Sequence, residues 1–377
     1  WYPSMRLYRQ AAIGDWEGTL QTLRRALEAQ AGTVAVDPEK PAKTMQATVA
    51  ELLAQGMQQH QQGQLEAARE SYESLLAQAP DHADALHLAG VVASQQGQHE
   101  RAQQLIEAAI RINPDSPLFF ANQALALVNQ GQAEAAYAAY QRALDLKPDD
   151  ADIVCRQAKI LKGLNRPDEA LAKYEAAVRI APARADLFYE LGNHQRETRQ
   201  FAAALAAYEQ ALALKPDSAA ILVNRGNVLN DLRRADEALA SFERAAACKP
   251  GYAEAHYNCG VVLQEMQRFE EALECYARAL ACQPSHDKAL NNRGVVLKEL
   301  KRFDEARAYF ERLLATDPGH VSARWNQSLM ALLQGRLAIG WPLYEARWQR
   351  DSRPRHFPHP QWRGEALAGQ RILLHCE

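Results

Sequence analysis

No apolar run in this sequence approaches the length needed to cross a bilayer. A stretch such as Phe201 to Tyr208 falls well short of the roughly twenty residues of a spanning helix. Net charge is equally scarce. The chain has 43 Lys+Arg against 46 Asp+Glu, a formal balance of -3, and gives no electrostatic reason to expect nucleic acid or an anionic membrane as main partner. Cysteines number only six (Cys155, Cys248, Cys259, Cys275, Cys282, Cys376), with no CxxC pair and no zinc-type spacing. Most fall inside helical patterns, where a free thiol behaves as a small hydrophobe. They are expected to be reduced and structural, which points to a reducing, cytoplasmic compartment. The stretch 44–348 holds no nucleophile, paired-carboxylate or phosphate-loop motif, so neither catalysis nor a cofactor is expected of it. Apolar residues, by contrast, make up 47% of the chain, enough for a well-buried core.

What the sequence does contain is a period. Prolines stand at 80, 114, 148, 182, 216, 250, 284 and 318, each 34 residues from the last. With proline as residue 32, the units run from 49–82 and 83–116 to 287–320. The twentieth residue is Ala in all eight (Ala68, Ala102, Ala136, Ala170, Ala204, Ala238, Ala272, Ala306). The eighth is always Gly or Ala: Gly56, Gly90, Ala124, Ala158, Gly192, Gly226, Gly260, Gly294. The twenty-fourth is large: Tyr72, Ile106, Tyr140, Tyr174, Tyr208, Phe242, Tyr276, Phe310. Positions 20, 24 and 27 share one helical face. Small residues at 8 and 20 let two helices approach closely, and the large side chain fills the space beside them. Gly63, Gly97 and Gly131 mark the turn between the helices in the first three units; Asn165, Arg199, Arg233, Gln267 and Lys301 stand there in the rest.

These residues and spacings resemble the tetratricopeptide repeat (TPR) consensus over about three quarters of the chain. The resemblance implies an all-α, right-handed superhelical solenoid of helix-turn-helix units, whose first helices line a concave groove. Eight units occupy 49–320. An altered ninth follows at 321–348; it keeps Asn326, Gly335 and Tyr344 but carries Gly340-Trp341-Pro342. Proline is tolerated in a helix's first turn, so the second helix of that unit is expected to start late and cap the stack.

The ends resemble something else. Gly340 to Trp348, Pro360 to Glu365 and Ile372 to Glu377 are similar to the junction in bacterial TPR-containing glycosyltransferase-like proteins. There the solenoid leads into a heptosyltransferase-like GT-B domain. The resemblance implies a linker at 349–370 and, at 371–377, a short strand opening a truncated α/β domain. Trp1 to Gln10 and Gly14-Asp15-Trp16 likewise look like the end of such a domain, giving a remnant at 1–30 and a linker at 31–48. The expected parent has the order transferase, solenoid, transferase, with sugar nucleotide bound only through domains outside this chain. In the C-terminal stretch, Arg347, Arg350, Arg353, Arg355 and Arg363 are read as a solvated interdomain surface, and His356 and His359 as loop residues rather than metal ligands.

The binding candidates lie at the sixth position of the units, on the first helix. It is asparagine at Asn122, Asn224, Asn258, Asn292 and Asn326, the last four in consecutive units. A primary amide donates and accepts, so a row of them can hold a polypeptide backbone whatever its side chains. The row resembles the asparagine ladder of the TPR arm of O-linked N-acetylglucosamine transferase, which implies a protein or peptide in the groove, recruited for an attached transferase. Ala54, Leu88, Arg156 and Glu190 interrupt it in the N-terminal half. Two alternatives stay open. The asparagines can instead bond a neighbouring helix and set superhelical pitch, and the whole chain can serve as a free-standing assembly scaffold. A rival TPR mode grips a C-terminal carboxylate; Asn227, Asn258 and Lys288 fall at its positions, but Val223 and Asn292 stand where Lys and Arg are needed.

Overall fold

The structure, a computed structural model, describes residues 48–347. Residues 1–30, the two linkers apart from Thr48, and the strand expected at 371–377 lie outside the described residues, as do His356, His359 and the arginines beyond Arg347. Among the described residues the protein is all-α, nine helical hairpins in series. Their first helices are α1 (Val49–Gln61), α3 (Ala83–Gln95), α5 (Pro117–Asn129), α7 (Ala151–Gly163) and α9 (Ala185–Glu197). They continue as α11 (Ala219–Asp231), α13 (Ala253–Glu265), α15 (Asp287–Glu299) and α17 (Val321–Leu333). The second helices are α2 (Leu65–Gln78), α4 (His99–Ile112), α6 (Ala133–Leu146), α8 (Pro167–Ile180) and α10 (Phe201–Leu214). The rest are α12 (Ala235–Cys248), α14 (Phe269–Cys282), α16 (Phe303–Thr316) and α18 (Leu337–Tyr344).

Each unit's local chemistry sets its helix ends. The residue before each first helix is its N-cap; Thr48, His82, Asp150, His286 and His320 accept a backbone N–H with their side chains. The turn inside every hairpin needs one left-handed residue. Gly63, Gly97, Gly131 and Gly335 supply it at φ between 71° and 76°, and Asn165, Arg199, Arg233, Gln267 and Lys301 adopt it at 58° to 61°.

The small and large positions pack as the spacing predicts. All eight twentieth-position alanines are fully buried, and so are the large side chains at position 24. The close approach is real: a Cβ built on Gly56, Gly192, Gly226, Gly260 or Gly294 would lie 2.5 to 2.7 Å from the ring of Tyr72, Tyr208, Phe242, Tyr276 or Phe310. Units 3 and 4 carry Ala124 and Ala158 at this position, opposite Tyr140 and Tyr174.

The ninth unit corrects one expectation. Its second helix does not start late: α18 begins at Leu337, in register with the others, and takes Pro342 inside it. The proline has no N–H to give Ala338, and the helix stops two residues later, at 8 residues rather than 14. Gly340 replaces the usual alanine, where a Cβ would meet Leu332 at 2.6 Å.

The core is divided. One continuous cluster runs from Ala204 to Met330, and a second from Ala124 to Ala207. The first units hold three small clusters around Tyr72, Leu75 and Phe119. First helices of adjacent units touch along most of the array, whereas second helices of adjacent units stand further apart. The first helices therefore line the inner, concave side. The pairs α5/α7 and α7/α9 approach less closely than the other first-helix pairs.

Candidate functional site

The structure places all five sixth-position asparagines on first helices and engages the amide of each with the unit before it. Asn122 donates Nδ2 to Nε2 of His87 at 2.7 Å. Asn224 donates to the hydroxyl of Tyr189 and to Oδ1 of Asn193, both at 2.9 Å. Asn258 donates to Oδ1 of Asn227 at 3.2 Å, and Asn326 to Oδ1 of Asn291 at 3.1 Å. Asn292 reaches the hydroxyl of Tyr257 at 3.4 Å and accepts from Asn291. The acceptors recur at the fifth or ninth position of the preceding unit, 35 or 31 residues back. Lys159 and Glu190 occupy the same ninth-to-sixth relation as an ion pair at 2.6 Å. With their donors so used, Asn122, Asn224, Asn258 and Asn326 keep Oδ1 free of any hydrogen bond among the described residues.

Burial shapes the first of these contacts. His87 stacks on Phe119 with ring centroids 4.5 Å apart, and desolvation pulls its pKa down to about 4. A neutral imidazole is what the Asn122 amide requires as acceptor. Tyr208, fully buried, donates its hydroxyl to Oδ1 of Asn193 at 2.8 Å, so that oxygen receives two donors and fixes Asn224 in turn.

A concavity of about 720 Å³ lies over the middle of the array. Arg196 of α9, Val223, Asn224 and Asn227 of α11, and Tyr252 and Glu254 at the start of α13 line it.

The comparisons fall in line with this geometry. Tetratricopeptide repeat profiles match residues 59–126, 122–185, 189–253, 260–321 and 296–338. The chain belongs to the tetratricopeptide-repeat family. Similar solved structures include YrrB, a TPR protein with an unusual peptide-binding site, 29% identical over 50% of this chain and 97% of that one, with a TM-score of 0.43. Another is the C-terminal part of a TPR repeat-containing protein from Cytophaga hutchinsonii, 18% identical over 63% and 98%, with a TM-score of 0.55. The pilF protein of Pseudomonas aeruginosa is 19% identical over 55% and 94%, with a TM-score of 0.46. No curated protein matches the chain.

Within this TPR array the positions of the carboxylate-gripping mode are only partly joined. Asn227 and Asn258 are hydrogen-bonded to each other, while Lys288 is exposed in the first turn of α15 and Val223 is buried. Sequence reasoning missed Tyr189, Asn193, Tyr257 and Asn291, the partners of the asparagines. Their signal was present at the fifth and ninth positions, but it is visible only once 31- and 35-residue offsets are known to bridge units. It also missed Leu118, Leu125 and Val128 of α5, which leave apolar surface exposed at 57%, 39% and 41%. Arg347, the one described member of the C-terminal basic stretch, pairs with Glu345 at 2.9 Å and lies over the Tyr344 ring.

Proposed function

We propose that this TPR array binds an extended polypeptide in its concave groove and presents it as an acceptor to an attached glycosyltransferase domain. The observation that carries the reading is the row of asparagine Oδ1 atoms left without an internal partner. It recurs at the sixth position of α5, α11, α13 and α17, with Asn292 of α15 accepting from Asn291 instead, beside a concavity large enough for a peptide segment. Such a carbonyl oxygen accepts a backbone N–H from any residue type, which suits a carrier of many sequences better than a lock for one. The amides thus have two tasks, the donor side spacing the units and the acceptor side meeting the ligand. The attachment to a transferase rests on the similarity of Gly340 to Trp348, Pro360 to Glu365 and Ile372 to Glu377 to the junction of glycosyltransferase-like proteins.

The test separates the two parts. Asn224, Asn258 and Asn292 are changed together to Ala, and binding of a random-sequence peptide pool is followed by fluorescence anisotropy. Affinity is expected to fall about 10-fold or more, since each lost backbone contact removes about 1 kcal/mol. Unchanged affinity in a variant with normal helical content would remove the ladder from the binding site. Reading the native frame beyond Glu377 decides the second part: a glycine-rich loop and further Rossmann-like sequence support the transferase, and a stop codon leaves a scaffold.

A further inference from the structure

The groove carries a charge without a counter-ion among the described residues. Arg196, half-buried near the end of α9, lines the 720 Å³ concavity and has neither an ion pair nor a side-chain hydrogen bond among the described residues. The two lysines of the neighbouring α7 are neutralised: Lys159 pairs with Glu190 and Lys162 with Glu197, both at 2.6 Å. On the same lining, Asn227 accepts from Asn258 through Oδ1 and keeps both Nδ2 hydrogens unspent among the described residues. The one acidic side chain of the lining, Glu254, stands on α13, across α11 from Arg196, and faces Nε2 of His286 at 3.7 Å. A guanidinium and an amide donor thus line one concavity whose single carboxylate, Glu254, is turned to His286 on the far side of α11.

We propose that this concavity is a carboxylate subsite, in which Arg196 and the Nδ2 of Asn227 bind an acidic side chain of the polypeptide in the groove. The inference rests on the polypeptide-binding reading and deepens it, from indifference to side chains along the row to a preference for Asp or Glu over α9–α11. It differs from the five-position carboxylate grip, in which Val223 and Asn292 here replace a Lys and the Arg. The cation comes from the twelfth position of the fifth unit. A guanidinium presents paired N–H groups that match a carboxylate, and partial burial strengthens the bond relative to open solvent.

Selection from a displayed library of random twelve-residue peptides, against the full chain and against Arg196→Gln, tests this. The parent is expected to enrich Asp or Glu at one register position, and Arg196→Gln to lose that enrichment while still selecting peptides. One selected peptide is then synthesised with an amidated C-terminus, with its acid changed to Gln, and with that change plus a free C-terminal carboxylate. The acidic, amidated form should bind the parent about 10-fold more tightly than the Gln form, the size of one charge-assisted contact. It should bind Arg196→Gln no more tightly than the Gln form does, and Arg196→Lys should keep part of the difference. Peptides selected without acid preference, a preference that survives Arg196→Gln, or recovery of affinity by the free C-terminus alone each overturn the subsite and leave polypeptide binding standing. Failure to select any peptide overturns both.

Discussion

Lys301 shows how much a single residue is asked to bear. It sits at φ 59° in the turn between α15 and α16, a conformation that its Cβ disfavours by about 1–2 kcal/mol, whereas Gly97 holds the same turn in the second unit without that penalty. Lys301→Gly and Arg233→Gly are each expected to stabilise the protein by about 0.5–1 kcal/mol after the entropy cost of glycine is subtracted. Gly97→Ala should destabilise it by about 1 kcal/mol, all three read from urea midpoints. His87 makes a pH prediction. Its folded pKa is about 4 against 6.5 for the free side chain, so in that window the unfolded chain takes up a proton that the folded one refuses. Stability should fall as pH drops from 6.5 towards 4, by up to about 3 kcal/mol, and level off below. Tyr189 and Tyr257 stand at the same position in their own units and receive the same amide bond. His87→Tyr should therefore flatten that part of the acid limb in denaturant titrations across pH while keeping the fold.

At the scale of the helix pair, the polar contacts between first helices decide how one unit sits on the next. If the Asn224 amide sets that seating, Tyr189→Phe and Asn224→Ala should couple. Each single change should cost about 1 kcal/mol, and a double-mutant cycle should return a coupling energy above about 0.5 kcal/mol. Additive effects would leave Asn224 without a spacing role. This is also where the sequence stopped being readable. Ala68, Gly56 and Tyr72 announce their packing because each acts within one unit, where the helical period is known. Asn224 gave its face but not its partners, because Tyr189 and Asn193 belong to the preceding helix and their distance depends on how the units stack. Pro342 misled for a related reason: a rule about helix interiors could not tell that α18 tolerates a missing bond when it ends two residues later. The charged space around Arg196 was invisible, since it gathers residues of three units.

Over the whole array, stability should be a sum of unit and junction terms, and the terms are unequal. The long core from Ala204 to Met330 makes units five to nine one block, while the first units are held by small separate clusters. Hydrogen exchange followed by mass spectrometry should show α1 to α4 exchanging first and α10 to α15 last. A single uniform protection factor from α1 to α17 would contradict this division.

The two looser first-helix junctions, α5/α7 and α7/α9, have a mechanical consequence. The second of them is crossed by Lys159–Glu190 and Lys162–Glu197, solvent-accessible ion pairs, where most of the others are crossed by amides. Salt screens such pairs and leaves neutral hydrogen bonds largely untouched. The coil is thus a spring of two stiffnesses, a firm C-terminal arm joined through a compliant middle to a softer lead, and among the first-helix junctions ionic strength acts most on α7/α9. Raising it should let the array flex between units four and five, so that the angle between its two arms widens its distribution while the groove over α11 to α17 keeps its gauge.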